Sequence, residues 1–230
     1  MLIEAESIEE AYRKLQTAVY SEGQEITDER GETTLEIRNL MIHLKNPEAQ
    51  IPADYEHMTT KEAEEYASEF LTFAKTVPVI DKGDFLGFEP RFEYEYGDRI
   101  RKFGYKHHKI DQLDAVINKL RKNPQTRRAV IVLWNPLIDN FVEEVPCLNL
   151  LSFLLRKGKL NLTAVFRSND MVGAWPANAY ALIRLLEYTC AELKVEKGDL
   201  TTLSISAHFY ARKKSVESPY KAIKKSITEK

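Results

Sequence analysis

Leu148-Asn149-Leu150-Leu151-Ser152-Phe153-Leu154-Leu155, then Arg156-Lys157-Gly158, then Lys159-Leu160-Asn161-Leu162-Thr163-Ala164-Val165-Phe166, reads as two strands and the turn between them. Each apolar run has strand length, and Lys157-Gly158 is a hairpin signal. Upstream, Ala129 to Trp134 is a nearly continuous apolar run, expected as a buried strand. Downstream, Ala177 to Glu192 has the pattern of a helix. Thr201 to Tyr210 has that of a strand, apolar at Leu203, Ile205 and Ala207.

The first half is more helical. Ser7-Ile8-Glu9-Glu10 has the form of a capping box and opens a helix to about Val19, with Gly23 as its stop. A polar turn, Thr27 to Glu32, precedes a strand from Thr33 to Leu44. Thr59 or Thr60 caps a helix to about Lys75, and Asp81-Lys82-Gly83-Asp84 breaks the chain. Tyr94 to Arg101 mixes aromatic and charged residues. Ile110 to Lys122 reads as a helix with Ile110, Leu113, Val116, Ile117 and Leu120 on one face, ended by Asn123-Pro124. The Lys-rich end reads as a terminal helix or a frayed tail, so residues 211–230 are expected as a mobile segment. No repeat or linker divides the chain. Helices and strands mix without regular alternation, which predicts an α+β fold. The expectation is a single domain over 1–230, built on a mixed or antiparallel sheet packed with helices.

At 230 residues a sizeable core can be buried. A net charge of −2 argues against a broad nucleic-acid surface, so no DNA partner is expected. No apolar run has the length of a membrane span, and the acidic start lacks a signal-peptide core. The expected location is the cytoplasm. The two cysteines, Cys147 and Cys190, make neither a disulfide framework nor a zinc-finger spacing, so no metal is expected. Cys190, in an apolar helical pattern, reads as a packed core thiol.

The hairpin is flanked by chemistry on both sides. Pro146-Cys147 precedes it and Arg167-Ser168 follows it. A nucleophilic cysteine needs thiolate character, which a nearby guanidinium favours. Taken alone, a cysteine at a strand start is more often a core residue. The surrounding polar residues shift that reading. Arg167-Ser168 and Arg127-Arg128 offer paired donors suited to phosphate, although Arg127-Arg128 also fits a solvated strand start. Asn178 lies in an apolar helical stretch. Its amide can match the N3–H and O4 edge of uracil, or it can simply cap the helix after Pro176. His208 and Tyr210 alternate on a strand and share a face that could hold a sugar hydroxyl. Asp170 is a general acid/base candidate or a turn residue before Met171.

Pro146-Cys147, Phe166-Arg167-Ser168-Asn169-Asp170, Pro176-Ala177-Asn178 and His208-Phe209-Tyr210 together resemble the thymidylate synthase signature. Tyr96-Gly97, Ile110-Asp111-Gln112, Asn123 to Arg128 and Trp134-Asn135 resemble it as well. The likeness spans Tyr94 to Tyr210 and is closest to the archaeal branch. It implies a thymidylate synthase-like fold and a methyltransferase converting dUMP to dTMP. Cys147 would add to C6, and C5 would attack a one-carbon unit carried by methylene-tetrahydrofolate or methylene-tetrahydromethanopterin. Arg30, Arg167 and Ser168 would bind the phosphate. Asn178 would read uracil, and His208 with Tyr210 would hold the 3′-hydroxyl. Asp170 would face the pterin, and Tyr96 would help remove the C5 proton. Glu65 or Glu69 would be the catalytic glutamate. Arg127 and Arg128 would cross to the phosphate of a neighbouring subunit, implying a homodimer.

The chain departs from that family at Leu148, where histidine is usual, and at Phe166, where glutamine is usual. Gly173 is displaced by one position. Neither the closing tail nor the folate-binding insertion is recognisable. A pyrimidine hydroxymethylase and a silent nucleotide- or RNA-binding relative are therefore the alternatives. A hydrolase built on Cys147 and His208 lacks an orienting third group.

Overall fold

The computed structural model describes residues 1–72, 76–81, 84–90, 95–105 and 108–210. The expected tail 211–230, the end of the helix drawn to Lys75, and residues Lys82, Gly83 and Tyr94 lie outside them. In chain order the elements are β1 (Leu2–Ala5), α1 (Ile8–Glu22), β2 (Gln24–Thr27), β3 (Thr33–Leu44), α2 (Thr60–Leu71), β4 (Thr76–Asp81), β5 (Asp84–Pro90), α3 (Tyr96–Arg101), β6 (Phe103–Tyr105), β7 (His108–Ile110), α4 (Gln112–Lys122), β8 (Val130–Val132), β9 (Leu148–Arg156), β10 (Lys159–Asp170), α5 (Trp175–Leu193) and β11 (Glu196–Tyr210).

The main sheet runs β1-β3-β11-β10-β9-β8, with β2 paired to the first half of β3. The pairs β1/β3 and β10/β11 are parallel and the others antiparallel, so the fold is α+β on a mixed sheet. Parallel neighbours need a long crossover. The segment containing α1 makes one, and α5 makes the other.

Local sequence accounts for most boundaries. Lys157 and Gly158 take φ of 51° and 79°, the left-handed pair that closes a two-residue hairpin between β9 and β10. Ser7 accepts from the Glu10 N–H at 3.1 Å, while the Glu10 carboxylate reaches the Glu6 N–H at 2.9 Å, one residue before the expected box closure. Gly23 stops α1, and a Cβ there would lie 2.2 Å from the Val19 carbonyl oxygen. On α2 the Thr59–Glu62 capping box is complete.

Four expectations are corrected. First, Ile110 is not on the α4 face: it ends β7 and is exposed, because Asp111 caps the helix. Gln112 takes the buried place, bonding Val132 through both its amide donor and its amide acceptor. Second, the strand expected over Ala129–Trp134 shrinks to Val130–Val132. It is an edge strand, closed on its free side by Gln112, and Val132 is exposed. Third, β11 starts at Glu196 rather than Thr201, and its covered side carries Thr202 and Ser204 rather than Leu203 and Ile205. Polarity misleads there because the buried hydroxyls are paired: Trp175 Nε1 donates to Thr202 Oγ1 at 3.0 Å. Fourth, α5 begins at Trp175, which puts Asn178 inside the helix and removes the capping alternative.

The core lies between the sheet and the helices. α5 packs on β10 and β11 and is covered by α1, α2 and α4, so Leu182, Ile183, Leu185 and Leu186 are fully buried. The other face of the sheet carries an apolar row in strand-to-strand register: Leu2, Met41, Leu203, Val165, Leu150 and Val132. Leu2, Met41 and Val132 of this row are exposed.

Candidate active site

A cavity of about 910 Å³ opens at one end of β10 and β11. Its size suits a small-molecule site. It gathers Arg30, Glu69, Tyr96, Cys147, Arg167, Ser168, Asp170, Asn178, His208 and Tyr210. Glu65 is exposed on α2 and does not line it. Arg127 and Arg128 are exposed before β8 and do not reach it either.

Cys147 sits half-buried immediately before β9. Its carbonyl accepts from the Arg167 N–H at 2.8 Å, so the hairpin brings its two flanks together. The Arg167 guanidinium donates to Val145 O at 2.9 Å and Pro146 O at 3.2 Å, which ties the cation to the approach to Cys147. Tyr96 is placed from the other side, its hydroxyl accepting from the Leu148 N–H at 3.3 Å. Its ring meets Phe70 at a tilt and Phe70 meets Tyr66 edge to face, with centroids 5.2 and 5.4 Å apart.

Asp170 is both turn-former and lining residue. Its Oδ1 accepts from the N–H groups of Val172 at 3.1 Å and Gly173 at 2.9 Å. A Cβ at Gly173 would lie 2.6 Å from Asp170 Oδ2, so only glycine leaves that carboxylate in place. The Met171 N–H donates to His208 O at 2.8 Å, locking the ends of β10 and β11. His208 and Tyr210 project together, rings edge to face at 5.3 Å. Burial, then the charges of Asp170 and Asp28, pushes the Tyr210 phenol upward, so it is a neutral donor at ordinary pH.

Arg30 projects from a tight turn. Asp28 Oδ1 accepts from the Arg30 and Glu32 N–H groups, and Gly31 takes φ of 78°. The Arg30 guanidinium meets Glu144 at 2.8 Å across the mouth. The loop carrying Glu144 is anchored by Asp139, fully buried against Arg99 and bonded to the Asn135 N–H.

Sequence reading missed several lining residues. Tyr66 bonds Asn178, and its signal was the three-residue spacing to Glu69 on one helix face. Ser206, which donates to Glu36, shares the period-two face of His208 and Tyr210. Asn169 sits inside the quoted Arg167–Asp170 segment. Glu36 and Glu144 carried no local signal. In all, Asp28, Glu29, Glu36, Glu69, Glu95, Glu144 and Asp170 line the cavity against two cations among the described residues, Arg30 and Arg167.

The family model for thymidylate synthase matches residues 10–228. A protein of Methanosarcina barkeri, provisionally named a thymidylate synthase, is 39% identical over 209 residues, covering 91% of this chain and 89% of its own. One from Methanosarcina acetivorans, under the same provisional name, is 40% identical over 210 residues, with 91% and 89% covered. The counterpart in Methanocaldococcus jannaschii is 35% identical over 235 residues, spanning 100% of this chain and 97% of that one. With its residues 10–228 matched by that model and these archaeal relatives aligned over most of its length, the chain belongs to the thymidylate synthase family.

Proposed function

We propose that this protein converts dUMP to dTMP by covalent catalysis from Cys147. The observation that carries the reading is convergence: a thiol before β9, an Arg-Ser pair on β10, an amide on α5 and a His/Tyr pair on β11 line one cavity. Arg30, Arg167 and Ser168 bind the 5′-phosphate. Asn178 pairs with the N3–H and O4 of uracil, while His208 and Tyr210 hold the 3′-hydroxyl. Cys147 Sγ adds to C6, its lone pair forming the new bond, and the C5–C6 π pair is displaced toward C5 and O4. Asn178 steadies the charge developing there. With a donor bound, C5 would form its bond to the one-carbon unit; Tyr96, beside Cys147, would then relay the C5 proton outward, and expulsion of Sγ from C6, once the unit is reduced, would restore the ring. Splitting the substitution into addition and elimination lowers each barrier.

The family takes a folate-type one-carbon donor. The residues present fit a flat pterin: Tyr66, Phe70 and Tyr96 make an aromatic wall, and the carboxylates of Asp170 and Glu69 can accept from ring N–H groups. When bound, such a carrier supplies a carbon at the formaldehyde level together with the hydride that makes it methyl. Glu69, rather than exposed Glu65, is the glutamate we assign to the site. Among the described residues no cluster of three or more His, Cys, Asp or Glu could hold a metal, and no helix is long and apolar enough to cross a membrane.

The working form in this reading is a homodimer. Among the described residues two guanidinium groups face seven carboxylates in the cavity, a poor balance for a phosphate dianion. Exposed Arg127 and Arg128 are the cations a second copy would add. The apolar row on the outer sheet face is the surface that would bring that copy in.

The test is tritium release from dUMP labelled at C5, with methylene-tetrahydrofolate and methylene-tetrahydromethanopterin offered separately. Release with one donor, with dTMP as product, is expected. Cys147→Ser should lose turnover by several orders of magnitude while keeping dUMP affinity. Hydroxymethyl product would select the hydroxymethylase, and bound dUMP without release would select a silent binder.

A further inference from the structure

Asn178 does not hold its orientation alone. Its Oδ1 accepts from the Tyr66 hydroxyl at 2.8 Å. Its Nδ2 donates to Asn169 Oδ1 at 3.4 Å, and Asn169 Nδ2 donates in turn to Ser204 Oγ at 3.3 Å. The four side chains come from α2, α5, β10 and β11 and form one line of hydrogen bonds through the core. Asn169 and Asn178 are 2% and 5% exposed, so water does not compete for these partners.

The arithmetic of donors is decisive. An amide has two lone pairs and two N–H groups. With Tyr66 on one lone pair and Asn169 on one N–H, Asn178 keeps one acceptor and one donor for the cavity. That pair matches uracil, whose N3–H donates and whose O4 accepts. Cytosine presents the reverse, an acceptor at N3 and a donor at N4. Reading cytosine would require Asn178 to flip, and Asn169 would have to flip with it.

Both ends of the line are hydroxyls, which can donate or accept. The relay could therefore run in either direction, and one of its ends must polarise it. A phenol oxygen shares its lone pair with the ring and is a better donor than acceptor. An aliphatic hydroxyl has no such bias. We propose that Tyr66 is the positioning residue that sets the direction of the Tyr66–Asn178–Asn169–Ser204 relay and thereby the preference for uracil over cytosine. This rests on the uracil-reading role given to Asn178 above.

The experiment is calorimetric binding of dUMP and of dCMP to the wild type, Tyr66→Phe and Ser204→Ala, with thermal unfolding of each. The wild type should prefer dUMP. Tyr66→Phe removes the polarising donor and should narrow that preference about tenfold, the weight of one hydrogen bond. Ser204 does not line the cavity, so it can act on the base only through the two amides. Its loss leaves an Asn169 N–H unpaired in the uracil direction but only an under-used carbonyl in the reverse, and the N–H is costlier to strand. Ser204→Ala should therefore narrow the ratio too, by less. If both affinities fall equally in folded variants, Tyr66 and Ser204 merely support the wall and the relay is overturned. If the wild type binds dUMP no better than dCMP, the uracil reading itself fails and takes the relay with it.

Discussion

Asn178 and Asp170 show how single residues decide what a common frame can do. Asn178 is buried four residues into a helix, where an amide is ordinarily unfavourable, and it is held there by Tyr66 and Asn169. Replacing it with aspartate removes both N–H donors. Asn178→Asp should weaken dUMP and favour dCMP, whose N4 is a donor; competitive binding of the two nucleotides checks this, and an unmoved ratio removes Asn178 from the base edge. Asp170 is held by backbone donors at a turn where a side chain at position 173 would displace its carboxylate. At this scale the residues flanking the β9–β10 hairpin were legible, because a two-residue turn forces Cys147 and Arg167 together. Glu36 and Glu144 were not. Their place in the cavity depends on pairings across more than a hundred residues, which no local pattern encodes.

Among the elements, α2 bears the most on the site. Tyr66, Glu69 and Phe70 fall on one face at three- and four-residue spacing and line the cavity, while Ala63 and Ala67 allow close packing on α5. Its first turn depends on the reciprocal Thr59–Glu62 cap. Thr59→Ala should cost about 0.5–2 kcal/mol in urea unfolding, with an unchanged denaturant slope; no loss would mean the cap is dispensable. The starts of α1 and α2 were readable from their Ser7 and Thr59 caps, and the hairpin from its turn, whereas the Asp111 cap of α4 was passed over. β2 was missed because four exposed residues paired on one side have no burial pattern to display. The face of β11 was misread because Thr202 and Ser204 satisfy their hydroxyls inside while Leu203 and Ile205 stay outside.

The whole molecule presents two faces of its sheet, one covered by helices and one bearing the apolar row. On the reading that a second copy covers that row, Leu203→Glu should yield a monomer in sedimentation and lose phosphate-dependent affinity along with Arg127 and Arg128. A dimer that persists would place the interface elsewhere. Burial pushes the Tyr12 phenol from 10.0 to about 12, and burial raises that of Tyr55 as well. The unfolded chain loses these protons first. Their stabilisation is therefore complete below pH 10 and is lost as pH rises toward 12 and beyond, which alkaline titration of unfolding can follow. The mixed character of the sheet was readable from the unpatterned alternation of helices and strands, but its strand order was not, since only tertiary packing selects which strands become neighbours. That order has a temporal consequence. β11, last in the described chain, lies at the middle of the sheet between β3 and β10, and Ser206 meets Glu36 from 170 positions away. A ribosome-bound chain halted before Glu196 would hold Cys147 and Asn178 with no strand to close the sheet around them. Such late, distant pairing slows folding, and the cavity beside Cys147 is complete only once β11 has been made and has taken its place between β3 and β10.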